Sequence, residues 1–292
     1  MRPLLITVRP LLKKADIIIH TRCEFLLGIL TIPVHSTLRN LSRNSWIQGL
    51  PKNVCYTFLY DNEESINEGE KQDGISLNSK YRGRLVRRGE KIFKFYSYVN
   101  KNEKFNNVKY IAKMDDDVVL CPELFQFLKN KSINTRSYAG MFWNLDKVKE
   151  VGISRDARSD EMFVILGRTL MNQIISKEYC NDTNEQTCDS LNQRFDTNFG
   201  GTSLGLWLSS IKDVDVHILP LNDVGIHGDI ALSNKMYGDD FNNLGVQNSH
   251  SWPTYSKKRI LLHHLTNQYN KRLSLIQQKY AQCRLSDSSY HK

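Results

Sequence analysis

Three consecutive aspartates directly follow an apolar, strand-like segment of this chain. Residues 109–120 read KYIAKMDDDVVL, so apolar side chains precede Asp115, Asp116 and Asp117 and resume at once after them. This pattern predicts a buried strand with three like charges at its carboxyl end, and buried charges need partners of opposite sign. We expect a divalent cation, because hard oxygen ligands suit Mg²⁺ or Mn²⁺. A solvated acidic turn is the alternative, and the apolar flanks argue against it.

The composition of the chain is consistent with an anionic small-molecule partner. Its 292 residues carry a net charge of +9, which suits an anionic ligand, surface or polymer. The basic residues are spread along the chain, without zinc-finger spacing or an RNA-recognition signature, so nucleic-acid binding is not expected. Mg²⁺ is usually held by one or two carboxylates together with substrate phosphates, which favours a nucleotide-linked substrate.

Apolar strand patterns alternate with helical patterns in the first half of the chain. We expect strands over residues 25–33 and 54–60 and before the triplet, and helices over 36–46 and 81–100. Strands that alternate with helices are typical of an α/β sheet with its ligand crevice at the carboxyl ends of the strands. The triplet lies at such an end.

The second half of the chain continues the alternation. No linker or internal repeat divides the chain, so a single domain is expected. We expect an acidic polar loop over residues 63–79, a helix from 122, a strand over 138–143, a strand that passes into a helix over 161–175, a helix after Gly200 and Gly201, and a strand over 214–219.

Basic side chains near the predicted strand ends are candidate ligands of an anion. Arg39 and Arg43 are four residues apart on the first predicted helix, at the mouth of the first strand-to-helix turn, where they could bind a pyrophosphate. Two solvated surface arginines are an equal alternative. His263 and His264 follow an apolar run, and such a pair is more often structural or on the surface.

The ends and the cysteines add weaker constraints. Residues 1–22 are an N-terminal extension in which prolines and Asp16 interrupt the apolar stretches, and the chain has no run of 18 apolar residues, so no integral membrane segment is expected. Residues 271–292 form a basic tail. Six cysteines form no CxxC pair; Cys180 and Cys188 form either a loop disulfide or two free thiols.

Several of these stretches together resemble the β-1,3-galactosyltransferase-like proteins of glycosyltransferase family 31, which include the Fringe group. Residues 39–46 are similar to the family's R-xxx-R-x-[ST]-W motif, and residues 113–118 to its K-x-DDD-V motif. Residues 163–175 resemble its Y-V-L-S-x-D-L segment, with Gly167 in place of Ser. The resemblance extends from about residue 25 to 207.

One departure from the family concerns the catalytic base. The family's E-D-V-x-x-G block corresponds to residues 200–205, GGTSLG, in which both carboxylates are missing. The family's base therefore cannot be assigned here, and Asp196 is the nearest replacement. A non-catalytic relative that binds a UDP-sugar or a glycan is the resulting alternative.

The resemblance implies a GT-A-type mixed sheet flanked by helices, in a domain over residues 23–270. It implies an inverting, metal-dependent transfer of galactose or a related hexose from a UDP-sugar to a hydroxyl of a glycan or glycoprotein. Asp117 would be the direct ligand of Mn²⁺ or Mg²⁺, with His263 or His264 as the second protein ligand. Asp115 and Asp116 would lie near the ribose and sugar, and Arg39, Arg43 and Lys113 would favour the nucleotide. We expect a cytoplasmic protein, or a Golgi-lumenal one if an anchor has been lost.

Overall fold

The structure is a computed structural model, and strands and helices alternate through most of the chain it describes. The described residues are 23–79, 88–116, 118–120, 123–142, 148, 152–154, 158–176, 200–219, 226–227 and 261–263. The predicted extension over 1–22 and the predicted tail over 271–292 lie outside these residues.

Ten strands and five helices carry the fold described here. The strands are, in chain order, β1 Phe25–Leu30, β2 Val54–Tyr60, β3 Gly74–Ser76, β4 Tyr110–Asp115, β5 Val119–Leu120, β6 Ser137–Phe142, β7 Ser159–Gly167, β8 Asp215–Ile218, β9 Ile226–His227 and β10 Leu261–His263. The helices are α1 Ser36–Asn44, α2 Arg88–Lys101, α3 Glu123–Asn130, α4 Arg168–Ser176 and α5 Gly200–Ser209.

Seven strands form one mixed sheet in the order β3-β2-β1-β4-β7-β6-β8. Strands β3, β2, β1 and β4 are parallel, and β7 runs antiparallel to both β4 and β6. Strands β5, β10 and β9 form a second, small sheet. The mixed α/β sheet predicted from the sequence is confirmed.

The central strands are buried on both faces because their side chains alternate between two cores. On β1, Leu27 and Ile29 pack in one core with α3, whereas Leu26 packs in the other with α2. Helices α4 and α5 contribute to the same core as α2. Each buried Leu or Ile side chain stabilises the fold by about 1.5–3 kcal/mol.

Gly28 allows α2 to lie close against the middle of β1. A Cβ atom at Gly28 would lie 2.4 Å from Cε1 of Phe95, a fully buried ring of α2. Any side chain there would push α2 away from the sheet, so the helix on this face requires the glycine.

Most predicted elements are present, and four short strands, β3, β5, β9 and β10, were not predicted. Residues 63–79, expected to form an acidic polar loop, contain β3, which pairs with the end of β2. β3 is only three residues long, so it is too short to show the alternation by which a strand is identified.

A disulfide joins the amino-terminal ends of the first two strands. Cys23 and Cys55 are bonded, with Cα atoms 5.7 Å apart. Cys55 belongs to β2 and Cys23 precedes β1, so the parallel pairing of these strands brings the two thiols together. The predicted alternatives for Cys180 and Cys188 concern residues outside those described.

We expect the Cys23→Ser/Cys55→Ser double variant to lose about 2–4 kcal/mol of unfolding free energy, because the disulfide restricts the unfolded chain. Urea denaturation monitored by circular dichroism measures the loss. A reductant should lower the stability of the wild type toward that of the double variant and leave the double variant unchanged. Equal stability of the two oxidised proteins would contradict this prediction.

Candidate functional site

The candidate site lies where the order of the strands reverses. The chain builds β1, β2 and β3 in one direction and then returns to place β4 on the other side of β1. Leu30 at the end of β1 is in register with Asp115 at the end of β4. In open α/β sheets, ligands bind in the crevice outside the carboxyl ends of the strands at such a reversal.

Asp116 fastens the loop after β1 to the end of β4. Its Oδ2 accepts a hydrogen bond from Thr31 Oγ1 at 2.6 Å, and His35 Nδ1 lies 2.8 Å from Oδ2 and 3.0 Å from Oδ1. The residue is only 7% exposed. A buried carboxylate needs such donors. The contacts therefore fix the position of Asp116 and, with it, the positions of Thr31 and His35.

Asp115 has a cationic partner on its own strand. Lys113 is 1% exposed, and its Nζ lies 2.8 Å from Oδ1 of Asp115. Protein groups therefore partner two of the three aspartates without a cation from outside. Asp117, predicted to be the direct metal ligand, lies outside the described residues.

Arg39 is an internal support of the site. It is fully buried, and its five N–H donors bind Glu70 twice, Thr31 Oγ1, and the backbone carbonyls of Ile32 and Pro33 at 2.7–3.3 Å. No donor of the guanidinium is left for a phosphate. The structure thus gives Arg39 a positioning role in the loop after β1 instead of the nucleotide contact predicted from the sequence.

Arg43 extends this network toward β3. Its Nε and Nη2 each lie 2.8 Å from a carboxylate oxygen of Asp73, and its Nη1 donates to Glu70 at 3.1 Å. These contacts join α1 to the segment before β3. They are the structural role of Arg43, and its predicted nucleotide contact stays a prediction.

The charge of Glu70 is stabilised by both arginines. Burial by itself would raise the pKa of Glu70, but the hydrogen bonds and charges of Arg39 and Arg43 lower that pKa to about 2. Glu70 is therefore an anion at neutral pH, and it fixes the guanidinium of Arg39 that in turn binds Thr31.

The small sheet pairs β10, which contains the predicted ligand His263, with β5, the strand that follows the triplet. β10 runs antiparallel to β5, with Leu262 opposite Val119. The next residue, His263, is thus placed level with residue 118, the first residue after the triplet in the sequence. On β9, His227 is in register with His263. His264 and the predicted base Asp196 lie outside the described residues.

The described carboxylates and histidines do not form a metal site by themselves, so a site for a hard divalent cation would also need residues outside those described. Among the residues the structure describes, no three His, Cys, Asp or Glu side chains are grouped closely enough to hold a metal ion. Carboxylate oxygens with an imidazole nitrogen do suit Mn²⁺. The predicted ligand pair of Asp117 and His263 stays a prediction.

Sequence reasoning missed His35 and Thr31. Both follow the first strand within five residues, at the end where a crevice was expected, and that position was the available signal. It also missed the buried ion pair between Asp61, which follows β2, and Lys91 of α2.

Comparison with solved structures identifies the fold. The chain is similar to the galactosyltransferase LgtC, solved with donor and acceptor sugar analogues: TM-score 0.50, 8% identity, over 87% of this chain and 95% of LgtC. Mouse xyloside xylosyltransferase 1 has a TM-score of 0.45 at 10% identity, over 84% of this chain and 98% of that protein. GlyE of Streptococcus pneumoniae has 0.47 at 11%, over 92% of this chain and 64% of that protein. The fold is that of the GT-A glycosyltransferases.

Sequence comparison gives no closer assignment. No protein-family model matches the chain, and no curated protein matches its sequence. None of the helices in the described ranges has both the length and the apolar character needed to cross a bilayer.

The depressed pKa of Glu70 predicts a pH dependence of stability. The stabilisation from its charge is complete above the unfolded-state pKa of about 4.5 and is lost as the pH falls from there toward about 2. Relative to Glu70→Gln, the wild type should therefore lose unfolding free energy over this range, as measured by urea denaturation at stepped pH. Glu68→Gln, at an exposed ion pair with Lys71, is the control and should follow the wild type. Parallel pH profiles of the wild type and Glu70→Gln would contradict the prediction.

Proposed function

We propose that the chain is a metal-dependent glycosyltransferase that moves a sugar from a UDP-sugar to a hydroxyl group of a glycan or glycoprotein. The observation that carries the proposal is the position of Asp115 and Asp116, the first two residues of the triplet, at the strand reversal of a GT-A sheet, where such sheets bind ligands. The sequence resemblance to glycosyltransferase family 31 supports the same reaction, with inversion at the transferred carbon. Galactose or a related hexose is the proposed sugar.

The described residues prepare the donor site. Asp116, Thr31 and His35 hold the ends of β4 and β1 together, so the crevice between the strands has fixed walls. Lys113 neutralises Asp115, which lowers the repulsion that a diphosphate would meet there. Arg39 and Glu70 keep the loop after β1 in place from behind.

Asp117 and His263 would hold the cation, with His264 as the alternative second ligand. Bound Mn²⁺ or Mg²⁺ would supply Lewis-acid stabilisation of the charge that grows on the UDP leaving group. The protein's own task is to present a carboxylate and an imidazole on adjacent backbone segments, and the antiparallel pairing of β5 with β10 is compatible with it.

A base must also remove the proton of the acceptor hydroxyl. Where the family has its acidic pair, this chain has Gly200 and Gly201 at the start of α5, and neither can act as a base. Asp196 is the proposed base, because it is the nearest carboxylate upstream of them in the sequence. A carboxylate within hydrogen-bond reach of the hydroxyl is the usual choice for this step.

The disulfide bears on where the reaction takes place. Disulfides persist in oxidising compartments and are rare in the cytosol. The Cys23–Cys55 bond therefore favours a lumenal location, the alternative to the cytoplasmic one expected from the sequence.

The Asp117→Ala variant tests the role of the triplet. We expect it to lower Mn²⁺-dependent UDP release by roughly 100-fold or more, because it removes the proposed metal ligand. The measurement is a screen of UDP-sugars by UDP release, with Mn²⁺ and with chelator. Asp213→Asn is the matched control, since Asp213 is exposed and its φ of 57° is one that Asn tolerates. Unchanged turnover in Asp117→Ala would remove the assignment.

A second candidate is a non-catalytic protein that binds a UDP-sugar or a glycan. The observation that favours it is the absence of both family carboxylates at Gly200 and Gly201. Isothermal titration with UDP and Mn²⁺, together with UDP release over a panel of acceptors, separates the two candidates. Binding with turnover supports the enzyme, and binding without turnover on any acceptor supports the second candidate.

A further inference from the structure

We propose that His35 is a donor-binding residue whose Nε2 atom accepts a hydrogen bond from the nucleoside of the UDP-sugar. This inference rests on the proposed function and adds a contact that the sequence did not indicate. His35 belongs to the short turn Pro33–His35 after β1, on the β1 side of the strand reversal. Its ring is 15% exposed, so it is largely buried but keeps part of its surface open to solvent.

The hydrogen bonds around Asp116 decide which ring nitrogen carries the proton. Arg39 Nη1 donates to Thr31 Oγ1, and Thr31 in turn donates its single hydroxyl proton to Asp116. The carboxylate of Asp116 can only accept, so His35 Nδ1 must carry the proton that it shares with Asp116. When the ring is neutral, Nε2 is then an acceptor with a bare lone pair, whereas a protonated ring would present a second N–H donor there.

An acceptor at this position matches only part of a nucleotide. The phosphates of UDP offer acceptors alone, whereas the ribose hydroxyls and the N–H of uracil are donors. A neutral His35 therefore pairs through Nε2 with the nucleoside and not with the diphosphate. No hydrogen bond of Nε2 to another described residue competes with this contact.

The network also explains how the ring is aimed. Both oxygens of Asp116 lie within 3.0 Å of Nδ1, which restricts the ring plane. Thr31 and Arg39 restrict Asp116 in turn, and Glu70 restricts Arg39 through two hydrogen bonds. A ligand that meets a preoriented acceptor loses less entropy on binding.

The His35→Asn variant separates the contact from the anchor. The amide of Asn occupies the position of Nδ1 and can still donate to Asp116, but the variant has no group at the position of Nε2. We expect His35→Asn to weaken the binding of UMP and of UDP by the same factor, about 3- to 10-fold, in the presence of chelator. Binding of pyrophosphate with Mn²⁺ should be unchanged, and isothermal titration measures all three.

The control is His217→Asn. His217 also pairs with an aspartate, since its Nε2 lies 2.8 Å from Asp215 Oδ2, but β8 is the edge strand at the far side of the sheet. This variant should bind UMP as the wild type does. If His35→Asn does not fold, His35→Gln and His35→Ala replace it, and the Gln variant, with an amide oxygen near the position of Nε2, should bind UMP more tightly than the Ala variant.

The outcomes distinguish this inference from the proposed function. The inference about His35 would be overturned if a folded His35→Asn variant bound UMP with wild-type affinity, or if only its binding of pyrophosphate with Mn²⁺ were weakened. In either case, binding of UDP by the wild type leaves the glycosyltransferase proposal standing. A wild type that binds neither UMP nor UDP, either with chelator or with Mn²⁺, overturns both. Equal loss for UMP and UDP with unchanged pyrophosphate binding supports the inference.

Discussion

The buried carboxylate of Asp116 is the interaction on which the candidate site depends. It follows the last residue of β4, and it binds Thr31 and His35, which follow β1. These are the two strands between which the order of the sheet reverses, so one side chain links the two strand ends at which a ligand is expected to bind. A buried carboxylate without its donors would be strongly disfavoured, and this cost makes the geometry of both strand ends mutually dependent.

Charge balance explains why Asp115 and Asp116 are tolerated side by side at the end of β4. Lys113 partners Asp115 from within β4, and the β1 loop partners Asp116. A second layer of alternating charges, Arg39, Glu70, Arg43 and Asp73, lies behind the loop and holds α1 against the segment that leads into β3. In the proposed metal site, Asp117 would therefore supply the carboxylate, together with a histidine and the phosphates of the donor.

The fold could be predicted from the sequence because its signals are local. Continuous apolar runs predicted β1, β2 and β4, and apolar residues at helical spacing predicted the helices that pack on the sheet. The partners of Arg39 could not be predicted, since Glu70 is 31 residues away in a segment without a strand pattern. The Cys23–Cys55 disulfide was also invisible, because it depends on which strands are neighbours. For the same reason the triplet could be predicted as a candidate site and His35 could not. Three consecutive aspartates form a recognisable sequence pattern, whereas a single histidine becomes a candidate only when the fold places it beside the strand reversal.

The most direct test is a crystal structure of the protein with UDP and Mn²⁺, with the metal located from its anomalous scattering. The account predicts a manganese peak at the carboxyl ends of β1 and β4, beside Asp117 and His263, with the diphosphate bound to it. A manganese peak and nucleotide elsewhere on the protein, or no nucleotide at the strand reversal under saturating conditions, would contradict it.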